Sequence, residues 1–206
     1  MADRKSRITA HEPGSTATGV DWDGEELSGE SYERVKFVGL DMTEVRNEGA
    51  SFTECTFQRG KFNCSVHTDA AFVNCTFVDC NFFDTRFDGC KLMGSSFSGC
   101  NLELLKVEGG NWSHVSLRKA DLRTASFSEL RMLEADLSEA NCEGAALRRV
   151  ELGESVLDGA KLDGCDLRGS DLGAIELHEV SLAGAIVTPQ QTVTIALALG
   201  LDVRDE

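Results

Sequence analysis

Positive charge is scarce in this chain. Only 20 Lys and Arg stand against 35 Asp and Glu, for a formal net charge of −15. Such a chain is repelled by nucleic acid and by anionic membrane surfaces, so direct contact with either is not expected, and a basic protein surface is the favoured partner. No apolar run reaches the length of a transmembrane helix. Met1 to Gly19 lacks the apolar centre of a signal peptide, and a cytoplasmic location is expected. Catalytic signatures are missing too. There is no Gly-rich phosphate loop, no HExxH and no nucleophile elbow. The four histidines (His11, His67, His114, His178) are scattered, and outward carboxylates are so frequent that no pair singles itself out for acid–base chemistry. The eight cysteines include no CxxC pair, which argues against zinc. An enzyme is not expected, nor a cofactor or a metal.

What the chain does have is one register. Every fifth residue from Trp22 to Val187 is large and apolar, as in the run Phe72, Phe77, Phe82, Phe87, Leu92, Phe97 and the run Leu147, Leu152, Leu157, Leu162, Leu167. Asn47, His67 and Cys142 are the exceptions. A second column, two residues before the first, holds small side chains such as Ala50, Cys55, Gly60, Ser65 and Ala70. A five-residue period fits neither a 3.6-residue helix nor a simple strand. One large and one small inward position in every five suits a coil that turns a corner each unit, and a fixed period of this kind marks a solenoid.

Units such as Ala120-Asp121-Leu122-Arg123-Thr124 resemble the pentapeptide-repeat proteins, whose motif is A-(D/N)-L-x-x. The resemblance runs from about Asp21 to Ile186. It implies an all-β solenoid, a right-handed quadrilateral β-helix with four units per coil, the central Phe or Leu and the small residue both pointing inward. About eight coils follow, in a stack about 40 Å long at about 4.8 Å per coil. Three regions are expected: a flexible tail over 1–20, the repeat over 21–187, and a capping segment over 188–206.

With four units per coil, residues 20 apart are stacked neighbours. Asn47 then lies against His67, either as a functional pair or as a mutually satisfied defect in the core. Cys55 lies beneath Cys75 and Cys80 beneath Cys100. Reduced core thiols are expected, although a separation of about 4.8 Å would not exclude a disulfide. The open ends of a solenoid need caps. Thr188-Pro189-Gln190-Gln191 reads as a helix start, with Thr as N-cap, Pro at the first position and Gln at the third. The apolar helix that follows, through Val193, Ile195, Ala196, Leu197 and Leu199 to Gly200 and Leu201, is too greasy to face water. A homodimer joined through it is expected.

Counting modulo 20 sorts the outward charges onto four faces. The face through Trp22, Met42 and Leu122 carries nine acids (Asp21, Asp23, Asp41, Glu44, Asp84, Glu103, Asp121, Glu143, Asp163) against three bases (Lys61, Arg123, Lys161). The face through Leu27 and Phe87 is nearly balanced. Seven acids of the first face, Asp41, Glu44, Asp84, Glu103, Asp121, Glu143 and Asp163, are the candidate partner-binding set. A rod with one stripe of carboxylates is a possible stand-in for a phosphate backbone. Duplex DNA carries about one charge per 1.7 Å, more than this chain does, so any mimicry is of shape and of one face. The uninterrupted register, the change from Phe to Leu along the core and the apolar C-terminal helix resemble the gyrase-binding branch of the family. That resemblance implies a DNA mimic that binds DNA gyrase, a type II topoisomerase, and confers fluoroquinolone resistance. The alternative is an acidic scaffold or self-immunity protein that binds another basic partner or shields gyrase from a natural toxin.

Overall fold

The computed structural model describes residues 11–173, 180–198 and 200–204. Its repeat is a right-handed quadrilateral β-helix built from three-residue strands, each centred on a column residue that is buried between two more exposed neighbours. Residues 20 apart pair in parallel. One ladder of seven strands runs through Leu27, Asn47, His67, Phe87, Val107, Phe127 and Leu147. A second, of five, runs through Ala17, Phe37, Phe57, Phe77 and Phe97. A third, of three, runs through Tyr32, Phe52 and Phe72. The fourth face is joined by single bridges, such as Asp21↔Asp41 and Asn81↔Asn101. The longest ladder thus has seven strands where about eight coils are expected, and the bridges Ala146↔Asp166 and Asp166↔Ile186 carry it two levels further.

The motif's polar residue has a local job. At Asp41, Asn81, Asn101, Asp121 and Asn141 the side-chain Oδ1 accepts the N–H two residues on, closing an Asx turn at 3.0–3.3 Å. Many corners then pass through a left-handed residue, for example Glu44 (φ 56°), Asp84 (φ 52°) and Leu104 (φ 59°). Each such residue costs about 1–2 kcal/mol. The cost is offset by inter-coil bonds such as Glu44 N–H to the Asn63 carbonyl, 2.9 Å.

The N-terminal boundary differs from the expected one. Thr16–Thr18 is a strand paired with Lys36–Val38, Ala17 is buried, and Gly14 N–H reaches the Arg34 carbonyl at 3.1 Å. The coil therefore begins before Asp21. Ala17 continues the column, but it is too small to be recognised as a large apolar occupant. The expected tail residues 1–10 lie outside the described residues.

In the first half, the rings stack coil upon coil. The Phe37–Phe57, Phe57–Phe77 and Phe77–Phe97 centroids are 5.2, 4.9 and 4.8 Å apart and nearly parallel. The Asn47–His67 pair is fully satisfied. Asn47 Nδ2 donates to His67 Nδ1 (3.0 Å), which leaves the proton on Nε2 to donate to Ser65 Oγ (2.9 Å), and Ser65 Oγ donates to the Phe62 carbonyl (2.6 Å). Asn47 Oδ1 accepts the Ala50 N–H. Complete burial drives the His67 pKa down to about 3, so the imidazole is neutral.

The α-helix Pro189–Ala198 closes the C-terminal end. Its Gln191 is buried and reaches into the last coil. Nε2 donates to the Leu167 and Ser170 carbonyls, both at 2.8 Å, while Oε1 accepts the Thr188 and Gly169 N–H groups. One side chain serves both as the capping-box residue and as the plug for the open coil. Gln191→Ala strands two coil-end carbonyls and is expected to cost about 2–3 kcal/mol. Chemical denaturation checks this, and an unchanged midpoint would show that the end is closed by other contacts. At the helix C-terminus, Gly200 (φ 78°) supplies the left-handed turn, and Leu201 N–H reaches back to the Ala196 carbonyl at 3.0 Å.

Candidate partner-binding face

Asp41, Glu44, Asp84, Glu103, Asp121, Glu143 and Asp163 all fall on the face through Trp22, Met42, Phe82 and Leu122, at the coil spacing that parallel pairing sets. Their charges are not equally available. Asp41 is held by Lys61 Nζ (2.9 Å) and Asp84 by Lys106 Nζ (2.6 Å), while Asp121 pairs with Arg123 through two nitrogens. The Arg123 bonds hold the Asp121 carboxyl below its ordinary value. Asp163 accepts Ser181 Oγ and the Ala183 N–H. Glu44, Glu103 and Glu143 form no ion pair among the described residues, and Glu44 and Glu103 are exposed. Two of the seven, Asp41 and Asp121, are also turn-formers, so part of the stripe is dictated by the repeat itself.

On the other faces, bases answer acids. Arg86 bridges Asp88 and Glu108, Arg149 meets Glu129 at 2.8 Å, and Arg118 and Lys119 converge on Glu139. Asp166, almost fully buried, is clamped by Arg168 and Arg148, which hold it ionised far below the usual carboxylate range. Asp166 and Arg168 share one unit, and Arg148 joins them from the stacked unit below, a convergence that the period alone does not single out. Among the described residues, no group of His, Cys, Asp and Glu could hold a metal ion, and no helix is long and apolar enough to cross a membrane.

The acidic face is interrupted once. Every coil below is joined to the next through Phe62 N–H to Asn81 O and Phe82 N–H to Asn101 O, at 2.7 and 2.8 Å. One level up, the bonds expected between segments 99–104 and 118–123 are absent, and Leu104 N–H turns instead to Thr124 Oγ1 at 2.9 Å. Two adjoining depressions of about 430 and 690 Å³ open there and share Cys100, Leu102 and Asp121. Inside this level Trp112 lies parallel to Phe97, with centroids 6.0 Å apart. The opposite corner is pinched. A Cβ on Gly110 (φ 89°) would sit 2.1 Å from the Cys90 carbonyl oxygen, so only glycine permits that approach. The coil is tilted, shut at Gly110 and open at Cys100.

At the C-terminal end, Val193, Leu197, Leu201 and Val203 are each about half exposed, Ala196 is partly covered, and Ile195 turns inward against the core. Ile195 is thus placed with the solenoid rather than with the outer apolar surface. Leu199 lies outside the described residues.

The sequence profile of the pentapeptide repeat region matches this chain over residues 50–127 and 80–162. No curated protein matches it in sequence. Among solved structures, it is similar to full-length QnrB1, a plasmid-mediated fluoroquinolone resistance protein, at 20% identity and a TM-score of 0.65, covering 91% of this chain and 98% of that one. A trypsin-treated variant of QnrB1 gives 19% identity, a TM-score of 0.64 and coverage of 91% and 99%. HetL from the cyanobacterium Nostoc, a pentapeptide repeat protein involved in heterocyst differentiation regulation, is 21% identical with a TM-score of 0.47, covering 88% and 87%.

Proposed function

The chain belongs to the pentapeptide-repeat family, and from that premise we propose that it is a non-enzymatic DNA mimic of the cytoplasm that binds DNA gyrase and protects it from fluoroquinolones. The observation that carries this reading is the acidic face. Carboxylates recur along it at coil spacing, and Glu44, Glu103 and Glu143 form no ion pair among the described residues, whereas bases on the other faces pair with Glu108, Glu129 and Glu139. The likeness in shape to QnrB1, a plasmid-mediated fluoroquinolone resistance protein, supports the choice of partner. The implied mechanism is occupancy: the rod lies in the basic saddle that otherwise receives duplex DNA, and charge complementarity sets its register and rate of approach. A homodimer doubles the length of the rod. Val193, Ala196, Leu197, Leu199 and Leu201 are proposed to meet their counterparts across a two-fold axis, with Ile195 bracing the helix from beneath.

The test is gyrase supercoiling against rising protein, with and without a fluoroquinolone, at two salt concentrations. Inhibition or protection is expected to weaken at the higher salt. Reversing Glu44, Glu103 and Glu143 together to Lys is expected to reduce apparent affinity about tenfold or more, roughly 1.4 kcal/mol. Reversing Glu26 and Glu48, exposed on a different face, should change it little. Equal losses from both sets, or no effect of the wild-type protein on gyrase, would overturn the proposal.

A further inference from the structure

Six of the eight thiols are buried, Cys64 is exposed and Cys100 is partly exposed. Two pairs are stacked 20 residues apart in the small inward column. In both pairs the thiols donate to backbone carbonyls: Cys75 Sγ to the Phe52 and Val73 carbonyls (3.3 and 3.6 Å), Cys80 Sγ to those of Phe57 and Val78 (3.3 and 3.4 Å), and Cys100 Sγ to those of Phe77 and Ser98 (3.6 Å each). Their chemistry is the same but their surroundings are not. Around the first pair the ladder is closed on every side, with Thr56 N–H to Val35 O, Thr76 N–H to Cys55 O and Ser96 N–H to Cys75 O at 2.9–3.0 Å, and both residues are only 1% exposed. Around the second pair it is closed below, where Asn101 N–H meets Cys80 O at 2.9 Å, and open above, where the Cys100 carbonyl has no partner on Asp121. Cys100 lines both depressions of the cleft.

We propose that Cys80 and Cys100 form a dithiol that peroxide oxidises to a disulfide, with Cys100 meeting the oxidant in the cleft and Cys80 resolving it. Neighbouring parallel strands place the two Cα atoms about 4.8 Å apart, inside the range a disulfide spans. In a closed ladder, the Cβ atoms stay near that same spacing, whereas a disulfide draws them to about 3.8 Å. Cys100 is released on its upper side and can make that approach; Cys75 is held on both sides. Access follows the same division: Cys100 is partly exposed and lines the cleft, whereas Cys55 and Cys75 are both buried. The thiolate that attacks is therefore the one that solvent reaches.

The steps balance. The Cys100 thiolate attacks one peroxide oxygen, the O–O bond breaks, and hydroxide leaves, giving a sulfenic acid at Cys100. The Cys80 sulfur then attacks the Cys100 sulfur. The S–S bond forms, the S–O bond breaks, and the departing oxygen takes the Cys80 proton to leave as water. Two thiols are oxidised, and one hydrogen peroxide is reduced to two waters.

The full chain, treated natively with hydrogen peroxide, unfolded, alkylated and digested with trypsin, reports the outcome. Cys80 lies in fragment 62–86 with Cys64 and Cys75, and Cys100 lies alone in 92–106. The expected result is loss of alkylation at Cys80 and Cys100, with a linked fragment whose spectra place the bridge at Cys80, and return of both thiols on reduction. The link should survive Cys64→Ser and vanish in Cys100→Ser. Retention of both thiols, a Cys55–Cys75 link that forms as fast, or Cys100 oxidised without capture by Cys80 would each overturn it. None of these outcomes depends on gyrase binding, so the proposal stands or falls separately from the function above.

Discussion

Phe77→Ala is expected to destabilise the protein by about 3–5 kcal/mol, read as a shift in the denaturation midpoint at unchanged slope. Phe77 is completely buried and sits in the middle of a stack, with Phe57 at 4.9 Å and Phe97 at 4.8 Å as parallel neighbours and Phe62, Phe72 and Phe82 beside it. A solenoid coil has only two neighbours, so a cavity at one level cannot be filled from elsewhere in the core. Backbone bonds above and below hold the coils at fixed spacing, which prevents collapse into the space. A loss below about 1 kcal/mol would mean that the stack relaxes in spite of its ladder.

The second large effect is a pH dependence. His67 has a folded pKa of about 3 against an ordinary value of 6.5. Between those values the unfolded chain takes up a proton that the folded protein refuses, so stability is full above pH 6.5 and is lost as the pH falls toward 3. This one group is expected to contribute a slope of up to about 1.4 kcal/mol per pH unit. Carboxylates add their own acid sensitivity, so the informative quantity is the difference between wild type and His67→Phe. The variant strands Asn47 Nδ2 and is expected to be about 1–3 kcal/mol weaker at pH 7. The gap should narrow with acidification as the wild type loses its advantage. Denaturant titrations at several pH values measure it, and a gap that stays constant from pH 7 to pH 4 would show that His67 does not titrate as argued.

Much of this molecule was legible because the repeat leaves little to long-range accident. The column from Trp22 onward specifies what is buried, counting by 20 specifies which residues stack, and Asn47 with His67 follows from that count alone. Thr188 and Gln191 announced the cap by their spacing. What the period hides is whatever breaks or crosses it. Ala17 is in register but undersized. The Arg148–Asp166–Arg168 clamp joins a unit to the one stacked beneath it, and counting places those charges near one another without showing that both guanidinium groups turn onto one carboxylate. The cleft between Cys100 and Asp121 falls where both units obey the pattern, so nothing in the period marks it; it shows only in the missing backbone bonds between those coils. On the acidic face, counting located the seven carboxylates and placed Lys61 and Arg123 beside Asp41 and Asp121, but Lys106 reaches Asp84 around a corner from the adjoining face, which counting by face does not show.

The tilted coil also has a mechanical meaning. A β-helix bonded on all four sides is a stiff beam, because bending it stretches hydrogen bonds on one face and compresses them on the opposite one. Here one level lacks its bonds along the edge from Gly99 to Leu104, while the opposite corner, at Gly110, stays fastened. Between the coils that the long ladders hold together, this level is therefore the soft joint, with an axis set by the fastened corner, and bending there is expected to change the width of the slot beside Glu103 and Asp121. The two stiff segments on either side can change their mutual angle without disturbing either core, so a straight rod can follow a curved surface at the cost of one joint.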